Sequence, residues 1–346
     1  MSFHSRPSRP PHRGARRSRV GRARPVIVTA LAGAAVLLVL TGCEATVDHA
    51  SDPPSAVARD PLPPDVTFGV PPQAEVSTDD CDALSGLRPT ELPEPDRMPR
   101  GSTMERIAQR GRLVVGTDLG SNPLSFRDPI TGDVKGFDID VAHWISEAVF
   151  GDPNRIDYRM LSTDDRVDAI VRGDVDLVVK SMSITCSRYR RIDFSVPYYA
   201  ASQRMLVYRN SGITKTSDLV GRSVCATRAS TSIARVQRVV PSAQYVTTDS
   251  WADCLVMMQQ GQVDVITSDD PILAGIAAQD PWVTMVGDSL GTENYAVGIA
   301  KGKEDFVRFV NAVLAEREAD GSWQRSYNEW LSLLGPGSPP PTRYRD

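Results

Sequence analysis

RGDVDLVVKS, residues 172–181, and QGQVDVITSD, residues 260–269, are one phrase written twice. Each has a glycine as its second residue, where a helix stops, makes a short turn and enters an apolar strand that carries an aspartate. Each strand then ends in polar residues: Lys180 and Ser181 in the first, Ser268 and Asp269 in the second. A repeat of this kind predicts two similar halves. In open parallel sheets, ligands bind beyond the carboxyl ends of the strands, which is where both polar endings fall.

The same alternation extends outward from both copies. RLVVGTD (112–118) reads as a strand, FDIDVAHWISEAVF (137–150) as a helix, RIDYRML (155–161) as a strand and DRVDAIVRG (165–173) as a helix. The second copy is preceded by the strand SVCATR (223–228), the helix STSIARVQRVV (230–240), the strand QYVTT (244–248) and the helix SWADCLVMMQQG (250–261). Segments 112–180 and 221–268 therefore each run strand, helix, strand, helix, strand. The expected class is α/β, with parallel-rich sheets flanked by helices and two lobes facing one cleft. QRMLVYR (203–209) and YAVGIAK (295–301) read as extended, and two helices close the chain up to residue 335.

The ends differ in composition. Residues 1–42 hold eight arginines and no acid, and they include the apolar run PVIVTALAGAAVLLVL (25–40). Basic residues, a short apolar run and small residues make a secretory signal; the run is short for a membrane span. LTGC (40–43) resembles the lipobox of bacterial lipoproteins, in which Cys43 becomes the lipidated first residue. The remainder is expected to be exported and anchored to the outer face of the cytoplasmic membrane. Without residues 1–42 the chain has 31 basic and 43 acidic residues, a surface that argues against nucleic acid as a partner. Residues 43–99, Pro-rich over much of their length and containing Cys81, read as a tether, and 336–346 as a disordered tail.

Four cysteines remain after Cys43: Cys81, Cys186, Cys225 and Cys254. In an oxidising compartment an even number implies two disulfides, with three connectivities open. No spacing of Cys and His suggests a metal site, and no cofactor is expected. Beyond residue 43 only His49 and His143 are present, and no glycine loop has nucleotide-binding spacing. An enzyme is therefore not expected.

From Arg112 to about Gly335 the chain resembles the amino-acid-binding family of bacterial periplasmic solute receptors, family 3. The resemblance lies in LVVGTD (113–118), KGFDIDVA (135–142), VDLVVKSMSITCSRYRRIDFSVPYY (175–199), DLVGRSVCATRASTS (218–232), WADCLVMMQQGQVDVITSDDPIL (251–273) and the segment from Gly298 to Trp330. It is nearest in look to the glutamine/glutamate/aspartate-binding lipoproteins of ABC transporters. It implies a type II two-lobe fold with two hinge strands near 198–204 and 287–294. Lobe one would be 100–198 plus 292–335, and lobe two 199–291.

The resemblance also assigns roles. Ser183 and Arg188 match a hydroxyl, four residues and an arginine that hold an α-carboxylate; a guanidinium donates two parallel hydrogen bonds to such a group. Asp269 matches an acid that binds the α-ammonium, with the Ser181 carbonyl beside it. Thr231 and Ser230 open a helix whose free N–H groups favour an anion. Ser121 and Thr163 stand where the family often places aromatic residues. Lys180 and Arg228 offer two cations near the expected side-chain pocket, with Asp118 close by. A ligand carboxylate would satisfy them and favours glutamate or aspartate; pairing of the cations with Asp118 or another acid would leave a neutral ligand such as glutamine or asparagine. Cys225 and Cys254 fall on neighbouring elements of one implied lobe, which leaves Cys81 for Cys186. The expected function is capture of an amino acid for an ABC transporter permease. The alternatives are a sensor read by a membrane protein and, behind it, a dehydratase-like enzyme on the same fold.

Overall fold

The computed structural model describes residues 61–71 and 81–346. The segment read as a signal, Cys43 and much of the Pro-rich stretch lie outside the described residues.

The repeat read from the sequence is a repeat of topology. In the first lobe the sheet order is Ile156–Met160, Leu113–Thr117, Leu177–Val178, Gly298–Ala300, Ile192–Phe194. In the second it is Thr67–Phe68, Gln244–Thr248, Ser223–Thr227, Val265–Asp269, Tyr199–Tyr208, Val283–Tyr295. Each repeat supplies three parallel strands, and in both the first strand lies between the second and the third. The remaining strands of both sheets pair antiparallel.

The repeated aspartate has the same task in both halves. Asp176 accepts from the Val114 N–H at 2.7 Å, and Asp264 accepts from the Ser223 N–H at 2.8 Å. Each fixes the entry of its third strand against the first, and each is paired with an arginine, Arg110 or Arg222. The repeated glycines also behave alike: Gly173 (φ 76°) and Gly261 (φ 69°) turn the chain after a helix in the left-handed conformation that glycine adopts without a steric cost.

Two strands pass between the lobes. Tyr199–Tyr208 pairs with Val283–Tyr295 in an antiparallel ladder whose register shifts between Gln203 and Met205. At one end they join the second sheet. At the other, Tyr198 N–H donates to the Tyr295 carbonyl and Ser195 N–H to that of Val297. Buried aromatic side chains collect at this junction: Phe137, Tyr198, Tyr199, Tyr295 and Trp323.

Both terminal segments differ from expectation. The tail is not free: Arg343–Arg345 pairs in parallel with Ser85–Leu87, and Tyr327 donates to the Gly335 carbonyl at 2.9 Å. Its Pro/Gly composition describes the turn back towards the body, after which Arg-Tyr-Arg has strand-like alternation and an unpaired strand to meet. Likewise the folded body begins well before residue 100. Thr67–Phe68 is the outer strand of the second sheet, and residues 83–87 are largely buried against the first lobe.

Disulfides join Cys225 to Cys254 inside the second lobe and Cys81 to Cys186. Cys186 opens the short helix Cys186–Tyr189 that carries Arg188. Among the described residues no helix is long and apolar enough to cross a membrane.

Candidate functional site

The site is built where the strand Leu177–Val178 runs out. Ser181 has φ 40°, a region that residues with a Cβ rarely occupy, and such strain is held only where the surroundings over-determine it. Here they do. The Ser181 N–H donates to Asp138 Oδ2 at 2.8 Å, and the Lys180 and Ser181 carbonyls accept from Arg166 Nη1 at 2.9 and 3.2 Å. Asp138 is fully buried and also accepts from the Tyr198 hydroxyl at 2.7 Å; burial pushes its carboxyl up to about 6. Burial, with Arg188 nearby, pulls the Arg166 guanidinium down to about 9.

Thr185 caps the next turn by accepting from the Arg188 N–H at 3.2 Å. The capped turn brings the Arg188 side chain back over the strand end. Its Nη1 donates to the Ser183 carbonyl at 2.7 Å, and its Nη2 to the Ala229 carbonyl of the other lobe at 3.2 Å. Ser183 Oγ lies 3.5 Å from Thr231 Oγ1, again across the lobes. Burial lowers the Arg188 guanidinium, and the charges of Glu293 and Asp269 work against that shift.

Asp269 comes from the second lobe. It sits at the N-cap position of the helix Asp270–Ala277, but its side chain caps nothing. Oδ2 accepts from the Tyr295 hydroxyl at 2.5 Å, while Oδ1 is buried with no hydrogen-bond partner. Tyr295 is bridged through its backbone to Ser183. Arg188, Ser183, Tyr295 and Asp269 thus form one connected set. Burial, with the charge of Glu293 next in weight, pushes the Asp269 carboxyl up to about 8. Glu293 is itself buried and paired with Arg235 at 2.6 Å.

Three residues expected to meet a ligand are otherwise engaged. The Ser230 hydroxyl caps its helix by accepting from the Ile233 N–H and donates to the Thr227 carbonyl. The Ser121 hydroxyl donates to Asp118 Oδ2 at 3.0 Å. Arg228 points to Asp249 at 2.8 Å and to the Asp65 carbonyl at 2.5 Å. Lys180 is 5% exposed and is paired with Asp118. Burial raises the Asp118 carboxyl, but Lys180 and the hydrogen bonds of Gly120 and Ser121 outweigh it and hold the group below its ordinary value. Both cations are thus paired with acids of the chain, Lys180 with Asp118 and Arg228 with Asp249, which is the second of the two arrangements the sequence left open.

A cavity of about 350 Å³ adjoins this cluster. The first lobe lines it with Asp118, Ser121, Thr163 and Lys180 among others, and the second with Asp249–Ala252. A larger hollow of about 620 Å³ lies along Phe68–Pro71 and Ala243–Val246; its lining includes none of the charged cluster. Among the described residues no His, Cys, Asp and Glu group is arranged to hold a metal ion.

Sequence reasoning missed Asp138, Arg166, Glu293 with Arg235, and Trp251. Arg166 and Asp138 look like charges on a helix surface, and only the packing of those helices under the strand ends reveals their burial. The repeat of a strand ending at Lys180–Ser181 was a usable pointer to what must hold that turn.

The family model for bacterial extracellular solute-binding proteins, family 3, matches residues 113–333. A glutamine-binding protein of Geobacillus stearothermophilus is 32% identical over 208 residues, covering 60% of this chain and 79% of that protein. A glutamate-binding protein of Corynebacterium efficiens is 28% identical over 243 residues, covering 67% and 82%. Among solved structures, an ancestral arginine-binding protein bound to glutamine superimposes with TM-score 0.60 at 30% identity, covering 64% of this chain and 98% of that one. A cysteine-binding protein of Campylobacter jejuni, at 21% identity and TM-score 0.64, shares the two-lobe fold, covering 67% and 94%. With most of the folded body matched, and with the strand ends of two lobes meeting over one cleft, the chain belongs to the bacterial extracellular solute-binding proteins of family 3.

Proposed function

We propose that this protein is an exported, lipid-anchored receptor that captures one free amino acid between its lobes and presents it to an ABC transporter permease. The observation that carries the reading is the buried, unpartnered Oδ1 of Asp269, set in one connected group with Arg188. A buried carboxylate oxygen without a donor is costly, and an ammonium would satisfy it. An α-amino acid brings an ammonium and a carboxylate on one carbon. The carboxylate then takes the Arg188 guanidinium, the Ser183 hydroxyl and the free N–H groups at Thr231, in place of contacts that Arg188 now makes to carbonyls. These groups come from both lobes, so the ligand favours the closed arrangement, with Tyr199–Tyr208 and Val283–Tyr295 as hinges.

The ligand's side chain is read as uncharged and polar, with glutamine and asparagine as the amides that fit. With an ammonium holding Asp269 ionised, Arg166, Lys180, Arg188 and Arg235 are matched by Asp118, Asp138, Asp269 and Glu293, four against four, and a zwitterion with no further charge leaves that bound set balanced. The glutamine-binding relatives support this choice. Glutamate or aspartate is the second reading, because the Lys180 ammonium lines the cavity and Asp118 takes only part of its donor capacity. Calorimetric titration with an amino-acid panel tests both: no amino acid binding defeats the function, and preference for the acids over the amides defeats only the side-chain reading. A sensor that reports the closed state to a membrane protein would use the same cleft; deletion of the cognate permease separates uptake from signalling.

A further inference from the structure

Residues 65–70, expected to be tether, are bound into the second lobe. Thr67 and Phe68 pair with Thr247 and Val246, and the Val70 N–H donates to the Tyr245 carbonyl at 3.3 Å. Arg228 Nη2 donates both to the Asp65 carbonyl and to Asp249 Oδ1. The strand these residues cover, Gln244–Thr248, runs directly into Asp249–Ala252, the second lobe's wall of the 350 Å³ cavity. Among the described residues Trp251 is the one aromatic side chain lining that cavity, and Ser250 and Asp253 pin it there through a reciprocal cap at the helix start.

The wall therefore has two supports, both ending on the same short segment. One is the backbone ladder to Thr67–Phe68; without it Gln244–Thr248 becomes an edge strand with unpaired backbone groups. The other is the bridge from the Asp65 carbonyl through Arg228 to Asp249. A side chain that shapes a pocket must be held by groups behind it, or the pocket loosens.

We propose that residues 65–70 are a positioning element of the ligand pocket: through the outer strand and the Arg228 bridge they set Asp249–Ala252, and so the face that Trp251 turns to the ligand's side chain. This rests on the reading of the cleft as an amino-acid site. The segment between the expected lipid anchor and the body is then part of the receptor's specificity.

The test compares three proteins with the chain from Arg59 onward, which is one compact unit. They are a truncation starting at residue 72, Arg228→Gln and Arg228→Lys. Glutamine affinity, the glutamine-to-glutamate affinity ratio and hydrogen exchange of the ligand-free proteins are measured. The truncation and Arg228→Gln should each weaken glutamine binding about tenfold, shift the ratio and speed exchange at 249–252, with Arg228→Lys within about threefold of the parent. Affinity within about twofold of the parent, with unchanged protection at 249–252 in Arg228→Gln, overturns the proposal. Should the truncation lose its fold, Arg228→Gln decides by the same measures. Should the parent bind no amino acid, the cleft reading fails, and exchange at 249–252 alone decides this one.

Discussion

The Tyr295 hydroxyl donates to Asp269 Oδ2 at 2.5 Å, while Oδ1 of the same carboxyl is buried and unpartnered. One half of the group is fixed by a residue of the crossing strand; the other half is left without a donor. An acid held this way is oriented before any ligand arrives and is only half satisfied until one does. That is the condition for a contact whose strength appears on binding.

The first prediction is a dependence on pH. Burial, with the charge of Glu293 beside it, pushes the Asp269 carboxyl up to about 8, against about 3.9 in an unfolded chain. Between those values the folded state keeps a proton that the unfolded state has lost, so this group contributes stability at low pH that disappears as pH rises through 8. Asp269→Asn should therefore raise the melting temperature of the ligand-free protein at pH 8–9, with the gain vanishing near pH 4. It should also abolish amino-acid binding. Binding to the parent near pH 6.5 should release about one proton, read from calorimetry in buffers of different ionisation enthalpy. An Asn variant that still binds tightly contradicts the assignment.

The second concerns closure. A Cβ added to Gly275 would stand 1.5 Å from the Asn122 carbonyl oxygen. Gly275 lies on the second lobe's helix Asp270–Ala277, and Asn122 on the first lobe's loop between Gly120–Ser121 and Ser125–Arg127. In a helix, Gly→Ala is intrinsically stabilising by about 1 kcal/mol. Here the clash with the Asn122 backbone offsets that gain, so Gly275→Ala should hold the two segments apart, leave the melting temperature of the ligand-free protein no higher than the parent's and weaken amino-acid binding at least tenfold, about 1.4 kcal/mol. Unchanged affinity would mean that this contact is not part of the bound state.

The third is the buried pair. Lys180→Met leaves Asp118 in place with its cation gone, and removal of one member of a buried pair costs about 3–5 kcal/mol. Urea unfolding should show a loss in that range, and Asp118→Asn combined with Lys180→Met should recover part of it. A loss under about 1 kcal/mol would show that water already screens the pair.

The doubled phrase made the architecture legible because it carried three constraints at once: a left-handed glycine, an apolar strand and an aspartate that ties that strand to its neighbour. Arg188, Ser183, Thr231 and Asp269 were legible from spacing and from resemblance; the structure joins Ser183 to Arg188 and Thr231 and, through Tyr295, to Asp269. Arg228 misled because its partners, Asp249 and the Asp65 carbonyl, are 21 and 163 positions away. The Ser121 and Ser230 hydroxyls are engaged by near neighbours in local turns, a use that a short polar residue offers everywhere, and Ser121 also lines the cavity. The terminal segments were misread because proline and glycine content reports how a chain bends, not whether it docks.

Calorimetric titration of the chain from Arg59 onward with glutamine, asparagine, glutamate and aspartate, for the parent and for Arg188→Ala, tests most directly whether Arg188 grips a bound amino acid. Expected are one site per chain, amides tighter than acids, and a loss of about 2–5 kcal/mol in the variant, roughly 30-fold to several thousand-fold. Failure of all four to bind the parent, or equal binding to Arg188→Ala, would contradict that role.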